Sequence, residues 1–344
     1  MIARTARPDG TWSLEVVRLL RRARPVAGPT VAVAVGVATI RIFAPDMAGT
    51  LVGQWPGDGG GLWLALAVLA LTVVLLSDAG SLAVLVRALR PGVPYWAGAA
   101  VGIESRLVEG ATSFGGLEMP FQVVRIRRLG LSTAEASAAV TVKGLLHASV
   151  LLILAAMTLV PGLDSPLSPL QRAIILGCLA AVVVFWWGAW LFFGRHRDRL
   201  VPSRLRAWVD EARRACRLMC RGGWGPLLRC AALQALNWAA TLALVPLILR
   251  ALGWQGPVLP IVLAQAVLPF VVSLSPLPGG AGMAELGYLQ LVGGLLPPAV
   301  GLASLTLWRL MTWVVPTLLG AVAVGVSPLV RVEATLAADS DLAK

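Results

Sequence analysis

The sequence is poor in charge, in histidine and in cysteine. Only 13% of its 344 residues are charged, against roughly 25% in a soluble domain, while 58% are hydrophobic. The two histidines, His147 and His196, cannot form a histidine metal cluster, and the four cysteines are too few and too scattered for a disulfide framework. No nucleotide-binding loop is present. These scarcities exclude an ordinary soluble enzyme, and we expect no metal and no cofactor.

Long apolar runs fill most of the chain instead. A helix needs about 20 apolar residues to cross a bilayer, and several runs reach that length. The sequence therefore predicts an all-α, polytopic membrane protein with six full spans and two broken or re-entrant helix pairs. The predicted spans are 27–45, 62–86, 134–160, 172–193, 227–250 and 299–326, and the broken pairs occupy 91–124 and 257–298.

The positive charge is concentrated in short segments beside the apolar runs. The formal net charge is +12, and nine arginines lie between 194 and 226, where 204–220 is expected to form an amphipathic surface helix. Arginine-rich loops of this kind face the cytoplasm under the positive-inside rule. We therefore expect a multi-pass protein of the cytoplasmic (inner) membrane with both termini inside. Because the basic segments lack interleaved aromatic residues, we expect anionic lipid rather than nucleic acid as the partner.

The order of elements predicts two membrane repeats of inverted topology. Each half reads span, span, broken pair, span, and the halves start on opposite sides of the membrane. The predicted segments are a cytoplasmic N-terminal segment 1–26, a first repeat 27–160, an external loop 161–171, a second repeat 172–326 containing the arginine-rich loop 194–226, and a cytoplasmic tail 327–344.

Both broken pairs contain a Gly-Gly motif followed by a glutamate. The first runs from Thr112 to Glu118, and the second runs from Ser275 to Glu285. A basic residue follows at a similar distance, since Lys143 lies 25 residues after Glu118 and Arg309 lies 24 after Glu285. The motif and its following basic residue recur in matching positions of the two halves, which favours an internal repeat.

These motifs supply the candidate site residues. A helix that begins after Gly-Gly offers unpaired N–H groups and a positive dipole end, which suit a phosphate. The candidate head-group residues are Thr112, Ser113, Gly115, Gly116, Ser275, Gly279, Gly280 and Gly282. The candidate charged cavity contains Asp78, Glu104, Arg106, Glu118, Lys143, Glu285 and Arg309. The alternative is structural: the glycines allow close helix packing, and the charges pair only to hold helices together.

The same motifs resemble those of a known family. Thr112–Arg128 with the following Gly130–Ala136, and Pro276–Glu285 with Arg309 in the next span, are similar to the signatures of the lysylphosphatidylglycerol synthase transmembrane (flippase-like) family. The resemblance covers about 27–326, although Gly116–Pro120 departs from the first motif. It implies a helical bundle with re-entrant segments that moves a lipid across the bilayer. In two-domain relatives a soluble aminoacyl-transferase domain makes that lipid, and we expect no such domain and no enzyme activity here.

The favoured function is a lipid translocase that moves a polar, phosphate-bearing head group between leaflets. Its expected partners are membrane lipids, with a separate synthase or another membrane protein as a further candidate. One alternative is a membrane scaffold or regulator that docks partners or anionic lipid through loop 194–226. Another is a membrane enzyme acting on a lipid-linked substrate, for which Asp78, Glu104 and Glu109 are the candidate acid–base groups.

Overall fold

The computed structural model describes residues 60–112, 117–157, 203–220, 223–273 and 275–326, with isolated helical positions between 176 and 187. The described part is all-α. Its nine helices are α1 Gly60–Leu89, α2 Tyr95–Ala111, α3 Glu118–Arg127, α4 Thr133–Met157, α5 Ser203–Cys220, α6 Gly225–Ala251, α7 Val258–Val272, α8 Met283–Leu291 and α9 Pro298–Gly325.

Four of these helices, α1, α4, α6 and α9, are long and apolar enough to cross a membrane. They confirm four of the predicted spans to within a few residues. The predicted broken pairs correspond to α2 with α3 and to α7 with α8, each pair made of shorter helices. The predicted span 27–45, most of the span 172–193, and the segments 1–26, 161–171 and 327–344 lie outside the described residues.

Small residues bring α1 and α2 into close contact. A Cβ added to Gly102 would lie 2.7 Å from the Cα of Ala79, and one added to Gly98 would lie 2.8 Å from the Cα of Ala83. Only glycine leaves room for this approach, which is the usual way that membrane helices pack. The contact places the polar face of α2 beside Asp78 of α1.

Helices α1 and α6 pack antiparallel. Asn237 of α6 donates to the carbonyl of Val74 at 2.8 Å, and Gln234, one turn earlier in α6, donates to Ser81 Oγ at 2.7 Å. α6 ends at a Schellman motif in which Gly253 has a φ of +80° and Trp254 N donates to Leu249 O at 2.9 Å.

Helix α9 is interrupted by a turn of π-helix at Leu310–Val314, directly after Arg309. Such turns arise from one inserted residue and are frequent at functional sites. Pro316 follows two residues later and removes a helical hydrogen bond of its own. The interruption sets the direction of Trp313, whose Nε1 donates to the carbonyl of Gly110 in α2 at 3.1 Å.

Helix α5 confirms the helix expected for 204–220, but it packs on protein. Ala215 and Met219 are buried in a cluster with Leu85 of α1, Ala138 of α4 and Cys230 of α6. The part of its apolar face that the structure describes therefore covers the ends of three helices, and this contact fixes the arginine-rich segment to the bundle.

Candidate functional site

A cavity of about 370 Å³ lies among α1, α2, α4, α6, α7, α9 and the segment between α7 and α8. Aliphatic and aromatic side chains form most of its wall. The polar and charged side chains that line it include Arg106, Glu109, His147, Asn237, Gln265, Thr241, Thr312 and Arg309. The cavity therefore combines the apolar wall and the few polar groups that are typical of a ligand site.

Arg309 is buried at one end of this cavity, with 7% of its surface exposed. Its Nε pairs with Glu285 Oε1 at 2.8 Å, and its Nη1 donates to the carbonyl of Gly279 at 2.9 Å. The guanidinium also lies 4.9 Å from the ring centroid of Trp313, a cation–π distance. Among the described residues, Nη2 has no hydrogen-bond partner.

Gly279 has a backbone that requires glycine. Its φ is +61°, in the left-handed region, and a Cβ at this position would collide with the indole of Trp313. The carbonyl of Gly279 therefore reaches Arg309 while its Cα packs against the aromatic ring. The motif positions Arg309 by a close backbone approach.

Two N–H groups of the second Gly-Gly motif are paired within the protein. Gly280 N donates to Leu277 O at 3.2 Å, and Gly282 N donates to Glu285 Oε2 at 2.7 Å. Glu285 is thus both the partner of Arg309 and the cap of α8. Arg309 is a further candidate anion donor at this position.

The remaining candidate head-group residues have local structural partners or lie elsewhere. Ser275 Oγ donates to Ala281 O at 2.7 Å and is buried, and Thr112 Oγ1 donates to Val108 O at 2.7 Å. Ser275, Gly279 and Gly280 line the cavity, whereas Thr112 and Gly282 are absent from its described wall. Ser113, Gly115 and Gly116 lie outside the described residues.

A second charged centre is built around Asp78 of α1. Its Oδ2 accepts from Lys143 Nζ of α4 at 2.9 Å and from Arg106 Nη2 of α2, and Arg106 Nη1 donates to Glu109 Oε2 at 2.5 Å. Asp78 and Lys143 are buried, whereas the Glu109 side chain is 42% exposed and lines the cavity. The centre therefore joins three helices and opens into the same cavity as Arg309.

Glu118 and Lys143, whose pairing the sequence left open, form only a long contact. Lys143 Nζ lies 4.0 Å from Glu118 Oε1, and Asp78 is its close partner. Glu104, which is fully buried, instead receives two hydrogen bonds from Arg125 of α3, at 2.7 and 2.9 Å. Glu104 and Arg106 thus bond to different elements, as their two-residue spacing predicts.

The profile of the family described as Lysylphosphatidylglycerol synthase TM region matches residues 26–320. The chain belongs to this family. No curated protein matches the chain. The matched range of the lysylphosphatidylglycerol synthase TM family includes Asp78, Lys143, Glu285, Arg309 and the cavity between them. Since the match is to the membrane region, it identifies a membrane protein and does not assign an aminoacyl-transfer activity.

Gln234 and Trp238 of α6, which contact His147 in the cavity wall of this family member, were missed from sequence. His147 Nδ1 lies 2.7 Å from Gln234 Oε1, and Gln234 Nε2 lies 3.3 Å from Asp78 Oδ1, which links the cavity wall to the charged centre. Trp238 stacks at a tilt on His147 with ring centroids 4.8 Å apart. The available signal was an amide inside an apolar helix, which is costly unless it has a partner.

Proposed function

We propose that the protein is a lipid translocase that moves a phosphate-bearing lipid head group through the cavity described above. The observation that carries this proposal is that Nη2 of Arg309 is buried and has no hydrogen-bond partner among the described residues. A buried donor without an acceptor costs about 1–3 kcal/mol, more when it belongs to a charged group. Arg309 lines the cavity, so an anionic oxygen bound there would lie beside its guanidinium group.

The size and wall of the cavity support a head group as the occupant. A volume of about 370 Å³ is within the range of small-molecule sites, roughly 300–1,000 Å³. The helices around it include four candidate membrane spans, so a lipid could place its head group inside while its acyl chains stay in the bilayer. Phosphate matches arginine because the guanidinium presents a fork of N–H donors.

The test is a leaflet-exchange assay in proteoliposomes with fluorescent phosphatidylglycerol, its aminoacylated analogue and phosphatidylcholine. Wild-type protein should accelerate exchange of a phosphate-bearing lipid, and Arg309→Gln and Glu285→Gln should each reduce the rate at least tenfold. Arg250→Gln is the matched control, since Arg250 bonds Gln255 and Trp254 O at the end of α6.

Melting temperatures of all variants in detergent establish that they are folded. Exchange that is equally fast with Arg309→Gln and wild type would contradict the proposal. A loss in Arg250→Gln as large as in Arg309→Gln would also contradict it, because the effect would then be general to arginine removal.

A further inference from the structure

The charged centre at Asp78 has more carboxylates than cations. Its members, which we name the Asp78 cluster, are Asp78, Arg106, Glu109, Glu118 and Lys143. Three carboxylates therefore face two basic groups among the described residues. The neighbouring Glu104 and Arg125 pair with each other and leave this balance unchanged.

The two cations are already engaged by the other carboxylates. Lys143 lies 2.9 Å from Asp78, and Arg106 is divided between Asp78 and Glu109. Within the described part of the chain, Glu118 has no basic group at hydrogen-bond distance, since the closest, Lys143, lies 4.0 Å away. Glu118 is thus the carboxylate in excess.

The hydrogen-bond donors to the Glu118 carboxyl are neutral. Gln122 Nε2 donates to Oε1 at 2.7 Å, and Ser105 Oγ lies 3.3 Å from the same atom. The side chain is 21% exposed, so water reaches it only in part. A largely buried carboxylate without a close cation is costly, and a bound proton removes that cost.

We propose that Glu118 binds a proton that is carried together with an anionic lipid head group, so that a proton gradient drives lipid movement. This step rests on the proposed translocase function. The proton comes from water, forms an O–H bond with the Glu118 carboxylate, and returns to water on the other side of the membrane. No redox step or further reactant is required.

The shared cavity couples the two ligands. Arg106 and Glu109 of the Asp78 cluster line the same cavity as Arg309. An anionic head group bound there adds negative charge, and a proton on Glu118 removes one. Each ligand therefore favours the other, and this coupling is reciprocal. The ionisable groups that act on Glu118 are Asp78 of α1, Arg106 and Glu109 of α2, and Lys143 of α4. Glu104 of α2 and Arg125 of α3 pair with each other, and His147 of α4 and Cys230 of α6 face Asp78 and Lys143.

The proton site is tested first without lipid transport. Infrared difference spectra of the reconstituted protein should contain a band from a protonated carboxyl group that changes with pH. Glu118→Gln should remove this band, and Glu211→Gln on α5 should keep it. Glu118→Asp retains a titratable group and should keep the band with a shifted midpoint. A band unaffected by Glu118→Gln would overturn the site.

The coupling is tested in proteoliposomes with a pH gradient. If one proton moves with each lipid, a gradient of one pH unit should maintain a concentration ratio of about 10 for phosphatidylglycerol between the two leaflets. Glu118→Gln should still exchange lipid but leave the ratio near 1, and Glu211→Gln should behave as wild type. Lipid exchange that responds to a Na⁺ gradient and ignores the pH gradient would overturn the coupling. Absence of exchange for every lipid in the wild type would instead contradict the translocase function, and the infrared result alone would then decide the proton site.

Discussion

A polar side chain inside the membrane region can supply a hydrogen bond that the helix backbone lacks. Pro246 lies within α6 and has no N–H to donate to the carbonyl of Leu242, four residues earlier. Gln265 of α7 supplies the missing donor, since its Nε2 lies 3.0 Å from Leu242 O. A buried glutamine in an apolar helix thus has a structural cause.

This cause gives a double-mutant prediction. Gln265→Leu should lower the free energy of unfolding by about 1–2 kcal/mol, because Leu242 O loses its partner. In a Pro246→Ala background the same change should cost much less, since the substituted alanine restores a helical N–H for that carbonyl. Thermal unfolding of the four proteins in one detergent measures the difference. An equal loss in both backgrounds would refute the explanation.

The charged residues of the site could be named from sequence, but the way they pair could not. The sequence placed Glu285 and Arg309 in one charged cavity and left their pairing open, and the structure pairs them at 2.8 Å. The pairing of Glu118 with Lys143 was equally open. The two lie 4.0 Å apart because Asp78, 65 residues earlier in the chain, contacts the Lys143 ammonium at 2.9 Å. Hydropathy shows that such a group is buried and does not show which distant cation it meets.

At the scale of elements, the crossing of α1 and α2 depends on two glycines that face alanines. Gly102→Ala would place a methyl group 2.7 Å from Ala79 Cα, so the two helices must separate. We expect a loss of about 1–3 kcal/mol in unfolding free energy, since added volume in a filled interface forces backbone shifts.

Gly61→Ala is the control for this prediction, since a Cβ at Gly61 in α1 meets nothing within 4 Å. It should be neutral or slightly stabilising because alanine has the higher helix propensity. Unfolding of both variants, followed by tryptophan fluorescence, tests the difference between them. A stability of Gly102→Ala equal to that of Gly61→Ala would show that the α1–α2 contact tolerates separation.

Elements with a strong apolar signal were predicted better than irregular ones. The spans at α1, α4, α6 and α9 follow from runs of about 20 apolar residues. The π-helical turn at Leu310–Val314 has no such signal, because its sequence is as apolar as the helix around it. The packing of α5 on protein was also missed, since an amphipathic pattern does not say whether its apolar face meets lipid or other helices.

At the scale of the whole molecule, the arginines of α1, α3 and α5 gather at one end of the described bundle. α1 ends near Arg87 and Arg90, α3 ends with Arg125, Arg127 and Arg128, and α5 carries Arg213, Arg214 and Arg217. The antiparallel packing of α1 and α6 places the start of α6 at this end too. The connection from α6 to α7 therefore lies at the opposite end.

This polarity predicts the orientation of the protein, because arginine-rich ends stay on the cytoplasmic side. In a variant with all four cysteines replaced by alanine, we introduce Trp224→Cys before α6 or Gln255→Cys after it, at two exposed positions. A membrane-impermeant maleimide should label the Gln255→Cys protein in intact cells and label the Trp224→Cys protein only after lysis. Labelling of both in lysed cells controls for access to the thiols. The reverse pattern would mean that the proton and lipid movements proposed here run through an inverted molecule, with its basic end facing outward.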